Sequence, residues 1–249
     1  MDYDTDFEDD YCYTSLGAIH FKHHSGNKAK LIFLHGLGGT TQVWERLMGI
    51  MPAGIDVYLV DLLGHGGSDA PDVDYTISVQ FQVLREFIAI QNNGDSYIFG
   101  NSYGGWVAAY YASQPCTSKG IILEDAAGLK ENFDEINGSN QIDFYRKSML
   151  KQLLEINNNK EYVIKSILYN NFDEDRLTTE MLSEINTRAL ILWGAQDALI
   201  SPKYADIFRK KIKNSEMVII DGAGHEPHYE QPEKTMEELL KFIGYAEGK

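Results

Sequence analysis

The sequence has few cysteines and no long apolar run, and each shortage excludes a class of protein. Only Cys12 and Cys116 occur among the 249 residues, with neither a C-x-x-C motif nor a histidine at metal-ligand spacing. We therefore expect no disulfide scaffold and no zinc site, and we interpret both as reduced structural cysteines in a cytoplasmic protein. No apolar run approaches the roughly 18 residues that a membrane-spanning helix needs, so we expect no membrane partner.

Positive charge is also scarce. The chain holds 22 lysines and arginines against 37 aspartates and glutamates, which gives a formal net charge of −15. Because non-specific binding to nucleic acid needs clustered Lys and Arg, we expect no nucleic-acid partner. Six of the first ten residues are acidic and none is basic, so we interpret this segment as a solvated arm without an assigned function. It lacks the basic and apolar sections of a secretory signal.

The arrangement of apolar residues predicts an α/β fold. Short apolar runs alternate with helical patterns, and continuous runs of this kind are typical of parallel strands covered by helices on both faces. The predicted strands are a hairpin of Tyr11–Tyr13 and Ala18–His23, then Lys30–Leu34, Val57–Val60, Tyr97–Phe99, Gly120–Leu123, Ala189–Trp193 and Met217–Ile220. The predicted helices include Gln80–Gln91, Gly105–Ala112, Lys203–Lys213 and Pro232–Ala246.

One long region, residues 128–186, has no convincing strand. Apolar residues recur there at gaps of 3 and 4, at Ile142, Tyr145, Met149, Leu153 and Ile156. This spacing predicts a helix, and a second apolar helix is expected over Tyr162–Tyr169. Most of these side chains are expected to pack helix against helix. As a whole, a helical insertion between two strands of a sheet is well placed to act as a lid.

The segment Gly100–Gly104 matches the motif G-x-S-x-G, with Ser102 at its centre. It directly follows the predicted strand Tyr97–Phe99 and directly precedes a predicted helix. A sharp turn at this position pushes a serine hydroxyl out of the sheet, and glycines leave room for the strained backbone. The helix N-terminus then places N–H groups beside a developing oxyanion, so the setting favours Ser102 as a nucleophile.

A second glycine-rich loop, His35–Gly39, also follows a strand. Its glycines let backbone N–H groups turn toward a ligand. A nucleotide site is disfavoured, because the sequence has neither G-x-G-x-x-G with a downstream acid nor G-K-[ST]. We interpret the Leu37 N–H as an oxyanion-hole donor.

Seven histidines compete for the role of general base. Three fall on the opening hairpin, and His35 and His65 lie in glycine-rich loops, where structural roles are expected. His225 follows the last predicted strand, and ligands bind at the carboxyl ends of the strands in open α/β sheets. We therefore predict that His225 is the base, with His228 as its main rival.

The acid that would orient this base has three candidates at strand ends, Asp61, Asp125 and Asp197. Asp61 leads into the turn-rich stretch Gly64–Asp69. We expect the Asp61 side chain to fix the conformation of this loop. Asp197 lies in the tight turn Gly194–Asp197 and is the preferred candidate.

With the chain order Ser102, Asp197, His225, the sequence is similar to the α/β-hydrolase family over nearly its whole length. The resemblance implies that Ser102 is the nucleophile, His225 the base and Asp197 the acid. It also implies that the N–H groups of Leu37 and Tyr103 form the oxyanion hole.

The resemblance extends to the architecture. Asp61–Asp69 resembles the family's D-x-x-G-x-G-x-S-D stretch. The fold implied is a mostly parallel twisted sheet of about eight strands flanked by helices. Residues 1–127 and 187–249 would form the core, and residues 128–186 the small helical cap.

The implied chemistry is hydrolysis of a small-molecule ester without a metal or organic cofactor. Because the cap is rich in apolar residues, a carboxylesterase for small to medium acyl chains is favoured. The chain is expected to be a monomer or a homodimer. The residues expected to bind substrate are Gly36, Trp44, Phe133, Phe144, Tyr145 and Met149.

Other functions stay open. The serine motif is also similar to that of hydrolases that cleave carbon–carbon bonds in meta-cleavage products, which are dienoic diketones. That family usually has Trp after the catalytic His, where this chain has Glu226, and a cap arginine, for which only Arg146 and Arg176 are available. Lactonase and thioesterase activities remain alternatives, as does a non-catalytic ligand receptor, although no motif is broken.

Overall fold

The computed structural model describes residues 7–132, 135, 142–156, 159–170 and 176–245, with the side chains of residues 142–145 and 170 outside the described part. The strands are β1 (Glu8–Thr14), β2 (Gly17–His24), β3 (Lys30–Leu34), β4 (Asp56–Val60), β5 (Tyr97–Asn101), β6 (Gly120–Glu124), β7 (Arg188–Gly194) and β8 (Ser215–Ile220). The α-helices are α1 (Glu45–Met48), α2 (Ile77–Ile90), α3 (Tyr103–Ala112), α4 (Ile142–Leu154), α5 (Glu161–Asn170), α6 (Thr179–Glu184), α7 (Ala205–Lys211), α8 (Pro227–Glu230) and α9 (Pro232–Ile243).

The strands form one eight-stranded sheet in the order β1-β2-β4-β3-β5-β6-β7-β8. Strand β2 runs antiparallel to both β1 and β4. The pairs from β4 to β8 are all parallel. The predicted mostly parallel sheet is therefore confirmed, and the carboxyl ends of β3 to β8 meet at one edge.

Helices cover both faces of the sheet, which explains why its central strands are apolar throughout. All five residues of β4 and of β6 are buried. On one face the core includes Phe87 of α2 and Trp106 of α3. On the other face it includes Leu47 of α1 and Phe242 of α9. Within the described ranges, no helix has both the length and the apolar character needed to cross a membrane.

Helix boundaries differ from the predicted ones where a capping residue decides them. Helix α2 begins at Ile77 rather than Gln80, because the Thr76 side chain accepts a hydrogen bond from the Val79 N–H at 3.2 Å. Helix α9 ends at Ile243 because Gly244 adopts a left-handed φ of +68°. The apolar stripe alone does not mark either end.

The first helices between β6 and β7 lie over the carboxyl edge of the sheet. The Asn159 side chain, between α4 and α5, donates a hydrogen bond to the Gly38 carbonyl in the loop after β3 at 3.0 Å. Ser166 of α5 accepts one from the Tyr75 N–H at 2.9 Å. These contacts place the helices above the loops that follow the strands.

The acidic N-terminal segment is described from residue 7 onward, and residues 1–6 lie outside the described residues. Residues 8 to 10 belong to β1, at the antiparallel edge of the sheet. Asp9 contacts His20 of β2, with 2.9 Å between its Oδ1 and the His20 Nε2. The described part of this arm is therefore an edge strand rather than a free tail.

Candidate active site

Ser102 lies in the turn between β5 and α3, in a conformation that few non-glycine residues adopt. Its φ is +51° and its ψ is −110°. Its N–H donates to the Glu124 carbonyl at 2.9 Å, which ties the turn to β6. A Cβ added at Gly100 would overlap the Gly104 backbone, and one added at Gly104 would overlap the Leu34 carbonyl. Glycine is therefore required on both sides of the strained serine.

Three side chains predicted from separate motifs meet at this turn. The Ser102 Oγ lies 2.9 Å from the His225 Nε2. The His225 Nδ1 lies 2.8 Å from the Asp197 Oδ2. Since a carboxylate only accepts hydrogen bonds, we assign the proton to Nδ1, which leaves Nε2 to accept the serine O–H. The serine, imidazole and carboxylate thus form one continuous hydrogen-bonded chain.

Asp197 is fully buried and well supplied with donors. Its side chain is 0% exposed. Its Oδ1 accepts the N–H groups of Leu199 at 2.7 Å and Ile200 at 2.9 Å. Burial opposes ionisation, but hydrogen bonds from His225 and Ile200 hold the pKa of Asp197 below its ordinary value. The carboxylate facing His225 is therefore ionised at neutral pH.

The loop after β3 lies directly against Ser102. An added Cβ at Gly36 would lie 3.4 Å from the Ser102 Cβ. The His35 Nε2 accepts the Leu62 N–H at 3.1 Å, so its Nδ1 carries the proton and donates to the Gly36 carbonyl at 2.7 Å. Leu37 and Tyr103, the two predicted oxyanion donors, line the same cavity as Ser102.

The other candidate acids and bases have structural partners. The Asp61 carboxylate accepts the N–H groups of Thr41 at 2.7 Å and Gly67 at 2.9 Å, so it fixes its loop as expected. His65 is buried, and burial lowers its pKa to about 3, which keeps it neutral. His228, the rival base, is buried, and its Nδ1 lies 2.5 Å from the Glu124 Oε2. The His228 imidazole is therefore paired with Glu124 and not with Ser102.

A cavity of about 290 Å³ opens beside Ser102 and His225. Its wall includes Gly36 and Met149, two of the residues predicted to bind substrate. Its apolar wall comes from the loop after β3, from α3, from the segment between β6 and β7 and from the loop after β7. The apolar residues are Leu37, Trp106, Met149, Leu153, Ile156, Ile167, Leu168, Leu199 and Ile200. Its polar wall includes Asn132, Arg146, Gln152 and Glu226.

Trp44 does not lie in this cavity, in contrast to the sequence expectation. It is 0% exposed and packs in the core against the rings of Phe33 and Phe99, at centroid distances of 5.0 and 5.2 Å. The large indole ring buries its apolar surface against these two rings, which a cavity wall open to solvent would not provide. Phe133 lies outside the described residues, as do the side chains of Phe144 and Tyr145.

The buried pair of Glu124 and His228 was not predicted as a unit. Glu124 also accepts hydrogen bonds from the Asn101 Nδ2 and the His228 N–H, both at 2.9 Å. The same Asn101 amide donates to the His225 carbonyl at 3.2 Å, which connects the serine turn to the histidine loop. The signal in the sequence was an acid, Glu124, at the end of an apolar strand.

Comparison with known sequences shows one family across most of the chain. A family model described as "Alpha/beta hydrolase family" matches residues 31–238. The monoacylglycerol lipase ABHD6 of Homo sapiens is 24% identical over 277 residues, which cover 94% of this chain and 79% of that protein. Lipase 1 of Psychrobacter immobilis is 26% identical and covers 90% of this chain and 80% of its own length.

A solved structure supports the same fold. The crystal structure of a membrane phospholipase A, described as a bacterial virulence factor, superposes with a TM-score of 0.79 at 22% identity. The match covers 97% of this chain and 88% of that one. At this identity the likeness shows the fold alone.

Proposed function

Because this chain belongs to the α/β-hydrolase family, we propose that it hydrolyses carboxylic esters of small to medium acyl chain through Ser102, His225 and Asp197. The observation that carries the proposal is the hydrogen-bonded chain from the Ser102 Oγ through His225 to Asp197, with links of 2.9 and 2.8 Å. The relatives named as lipases support ester hydrolysis.

In the first half of the proposed reaction an acyl-enzyme forms. The Ser102 Oγ attacks the ester carbonyl carbon while the His225 Nε2 accepts its proton. The Asp197 carboxylate holds the Nδ1–H tautomer and stabilises the imidazolium that results. The imidazolium then gives the proton to the departing alcohol. Water then attacks the carbonyl carbon of the acyl-enzyme while His225 again acts as the base. The imidazolium returns the proton to the Ser102 Oγ as the carboxylic acid leaves.

The oxyanion of each tetrahedral intermediate would be bound by the N–H groups of Leu37 and Tyr103. Tyr103 is the first residue of α3, so the positive end of the helix dipole faces the same point. One donor of this kind is worth about 3 kcal/mol of transition-state stabilisation. Each step uses only protein groups and water.

The volume of the cavity supports a substrate with a small to medium acyl group. Its volume of about 290 Å³ is near the lower end of the roughly 300–1,000 Å³ found for ligand pockets. Ile156 and Leu199 line it and are 48% and 54% exposed, so they mark its apolar mouth. We propose that residues 128–186 act as a cap whose helices supply this wall to a core of residues 1–127 and 187–249.

One observation favours a second candidate, a carbon–carbon bond hydrolase. Arg146 lines the cavity, where its guanidinium could bind the carboxylate of a dienoic diketone. Glu226, which follows His225, also lines the cavity. A carboxylate at that position weakens the case for an anionic substrate, so ester hydrolysis remains the first proposal.

A series of p-nitrophenyl esters from acetate to octanoate tests the proposal. We expect turnover that is highest for short to medium chains, stoichiometric labelling by a serine-directed phosphonate, and loss of both in Ser102→Ala. Ser78→Ala, which changes an exposed serine at the start of α2, is the matched control. Negligible ester turnover with rapid cleavage of a dienoate would favour the second candidate. Tight binding of esters without turnover would indicate a receptor.

A further inference from the structure

A second carboxyl group, that of Asp125, lies buried behind the proposed acid. Asp125 directly follows β6, has a φ of +45°, and is 0% exposed. Its N–H donates to the Leu192 carbonyl, and its Oδ1 accepts the Gly194 N–H, both at 3.0 Å. Its side chain is thus fixed against β7, just before the turn that carries Asp197.

The Asp125 carboxyl group also lies beside the Asp197 carboxyl group. Side-chain atoms of Asp125, Asp197 and His225 lie within 4.8 Å of one another. Among the described residues, no N–H or hydroxyl group donates to the Asp125 Oδ2. Two carboxyl groups can share a hydrogen bond only when one of them carries a proton.

The hydrogen-bond donors and charges around Asp125 and Asp197 determine which of these two carboxyl groups carries the proton. Asp197 accepts three donors, the N–H groups of Leu199 and Ile200 and the His225 Nδ1–H. Asp125 accepts one N–H, that of Gly194, and the charge of Glu124 acts on it. Burial, followed by the charge of Glu124 and the contact with Asp197, raises the pKa of Asp125 to about 11. The proton therefore resides on Asp125.

We propose that Asp125 is a positioning residue that, as a neutral acid, donates a hydrogen bond to Asp197 and holds that carboxylate toward His225. The inference rests on the proposed function, because it assigns a role behind the proposed triad. A neutral Asp125 also keeps a second negative charge away from the pair of Asp197 and His225, where it would repel the Asp197 carboxylate.

The ionisable groups that face Asp125 come from three parts of the fold. They are Glu124 on β6, Asp197 after β7 and His225 after β8. The Glu124 carboxylate is itself hydrogen-bonded to the side chains of Asn101 and of His228 of α8.

The test compares Asp125→Asn with Asp125→Gly. Asparagine keeps an acceptor for the Gly194 N–H and a donor for Asp197, and it tolerates a positive φ. Glycine also tolerates this φ but removes both side-chain groups. We expect Asp125→Asn to keep kcat/KM within about threefold of the wild type and an unchanged pH–rate profile. We expect Asp125→Gly to lose at least about tenfold in kcat with KM little changed.

Two spectroscopic measurements require no turnover. The infrared spectrum of the wild type at neutral pH should contain the carbonyl band of a protonated, buried carboxylic acid, and the band should be absent from Asp125→Asn. The low-field proton resonance of His225 Nδ1–H should be kept in Asp125→Asn and lost or moved upfield in Asp125→Gly. If Asp125→Gly does not fold, the infrared band and Asp125→Asn still decide the question.

The outcomes separate this inference from the proposed function. If the phosphonate fails to label the wild type, the proposed function fails, while the infrared band still reports on Asp125. If the wild type is active but Asp125→Asn is as impaired as Asp125→Gly, a neutral donor is not what the site needs. Wild-type kcat in Asp125→Gly, or no protonated-acid band, would also overturn the inference.

Discussion

At the scale of single residues, the position of Ser102, Asp197 and His225 follows from the ends of strands. Each residue comes shortly after an apolar strand, and parallel strands bring their carboxyl ends to one edge of the sheet. That is why motifs far apart in the sequence could predict which side chains meet. The pair of Glu124 and His228 could not be predicted in this way, because the packing of β6 against α8 joins residues 104 positions apart.

The two candidate acids Asp197 and Asp125 can be ranked by the same substitution at each position. Asp197→Asn should lower kcat by roughly 10³- to 10⁴-fold, because an amide favours the wrong imidazole tautomer and cannot stabilise the imidazolium. Steady-state kinetics on a p-nitrophenyl ester measure this loss, with circular dichroism to check folding. Asp125→Asn is the matched control and should have little effect. The opposite ranking would reassign the acid to Asp125.

Gly104 is a position where one methyl group should disrupt the serine turn. In Gly104→Ala the new Cβ would overlap the Leu34 carbonyl, so α3 must move away from β3. We expect a loss of several °C in Tm, equivalent to about 1–3 kcal/mol, together with most of the activity. Thermal unfolding and ester turnover measure both effects.

Gly49→Ala is the control for that substitution. Gly49 has a helical φ of −57°, and its added Cβ would come no closer than 3.4 Å to its neighbours. Alanine should therefore leave Tm unchanged or raise the free energy of unfolding by about 0.4–1 kcal/mol. Equal losses in both variants would mean that the close approach at Gly104 is not what matters.

At the scale of elements, apolar spacing predicted the helix α4 but not the surroundings of its apolar face. The stripe containing Met149, Leu153 and Ile156 was expected mainly to pack against other helices, with only Met149 of these three predicted to bind substrate, and in the structure all three line the cavity. Spacing shows that a face is apolar, and it does not distinguish a neighbouring helix from a ligand space. Trp44 is the converse case, an aromatic residue expected at the cavity that lies in the core.

The cavity-lining face of α4 predicts a change in acyl preference. Met149→Ala removes side-chain volume from the wall, so longer acyl chains should fit better. We expect the ratio of kcat/KM for octanoate to that for butyrate to rise about tenfold, the lower end of what a methylene is worth in an apolar pocket. Lys151→Ala changes an exposed residue of the same helix and should leave the ratio unchanged. An unchanged ratio in Met149→Ala would mean that this face does not contact the acyl chain.

At the scale of the whole molecule, the sheet could be predicted as a set of strands but its order could not. Each central strand is marked by a continuous apolar run because both of its faces are covered. The position of β3 between β4 and β5 depends on long-range pairing, which such runs do not encode. The resemblance to a known family supplied the architecture that the local patterns left open.

The buried proton of Asp125 predicts how the stability of the molecule depends on pH. Its pKa is raised from 3.8 to about 11 by burial and by the charge of Glu124. Between these values the folded protein binds one proton more than the unfolded chain, so this residue makes the free energy of unfolding fall as pH rises. The slope for one full proton is about 1.4 kcal/mol per pH unit.

Asp125→Asn isolates this contribution, because asparagine keeps the shape of the side chain and does not titrate. His20, whose pKa is raised by its hydrogen bond with Asp61, also favours folding at low pH, but this effect is present in both proteins and cancels. Urea unfolding of both proteins at pH 5, 6, 7 and 8 should show the variant gaining stability over the wild type at each step, by up to about 1.4 kcal/mol per pH unit. A difference that stays constant over this range would mean that Asp125 titrates alike in both states, and the folded protein would then hold an ionised carboxylate beside Asp197.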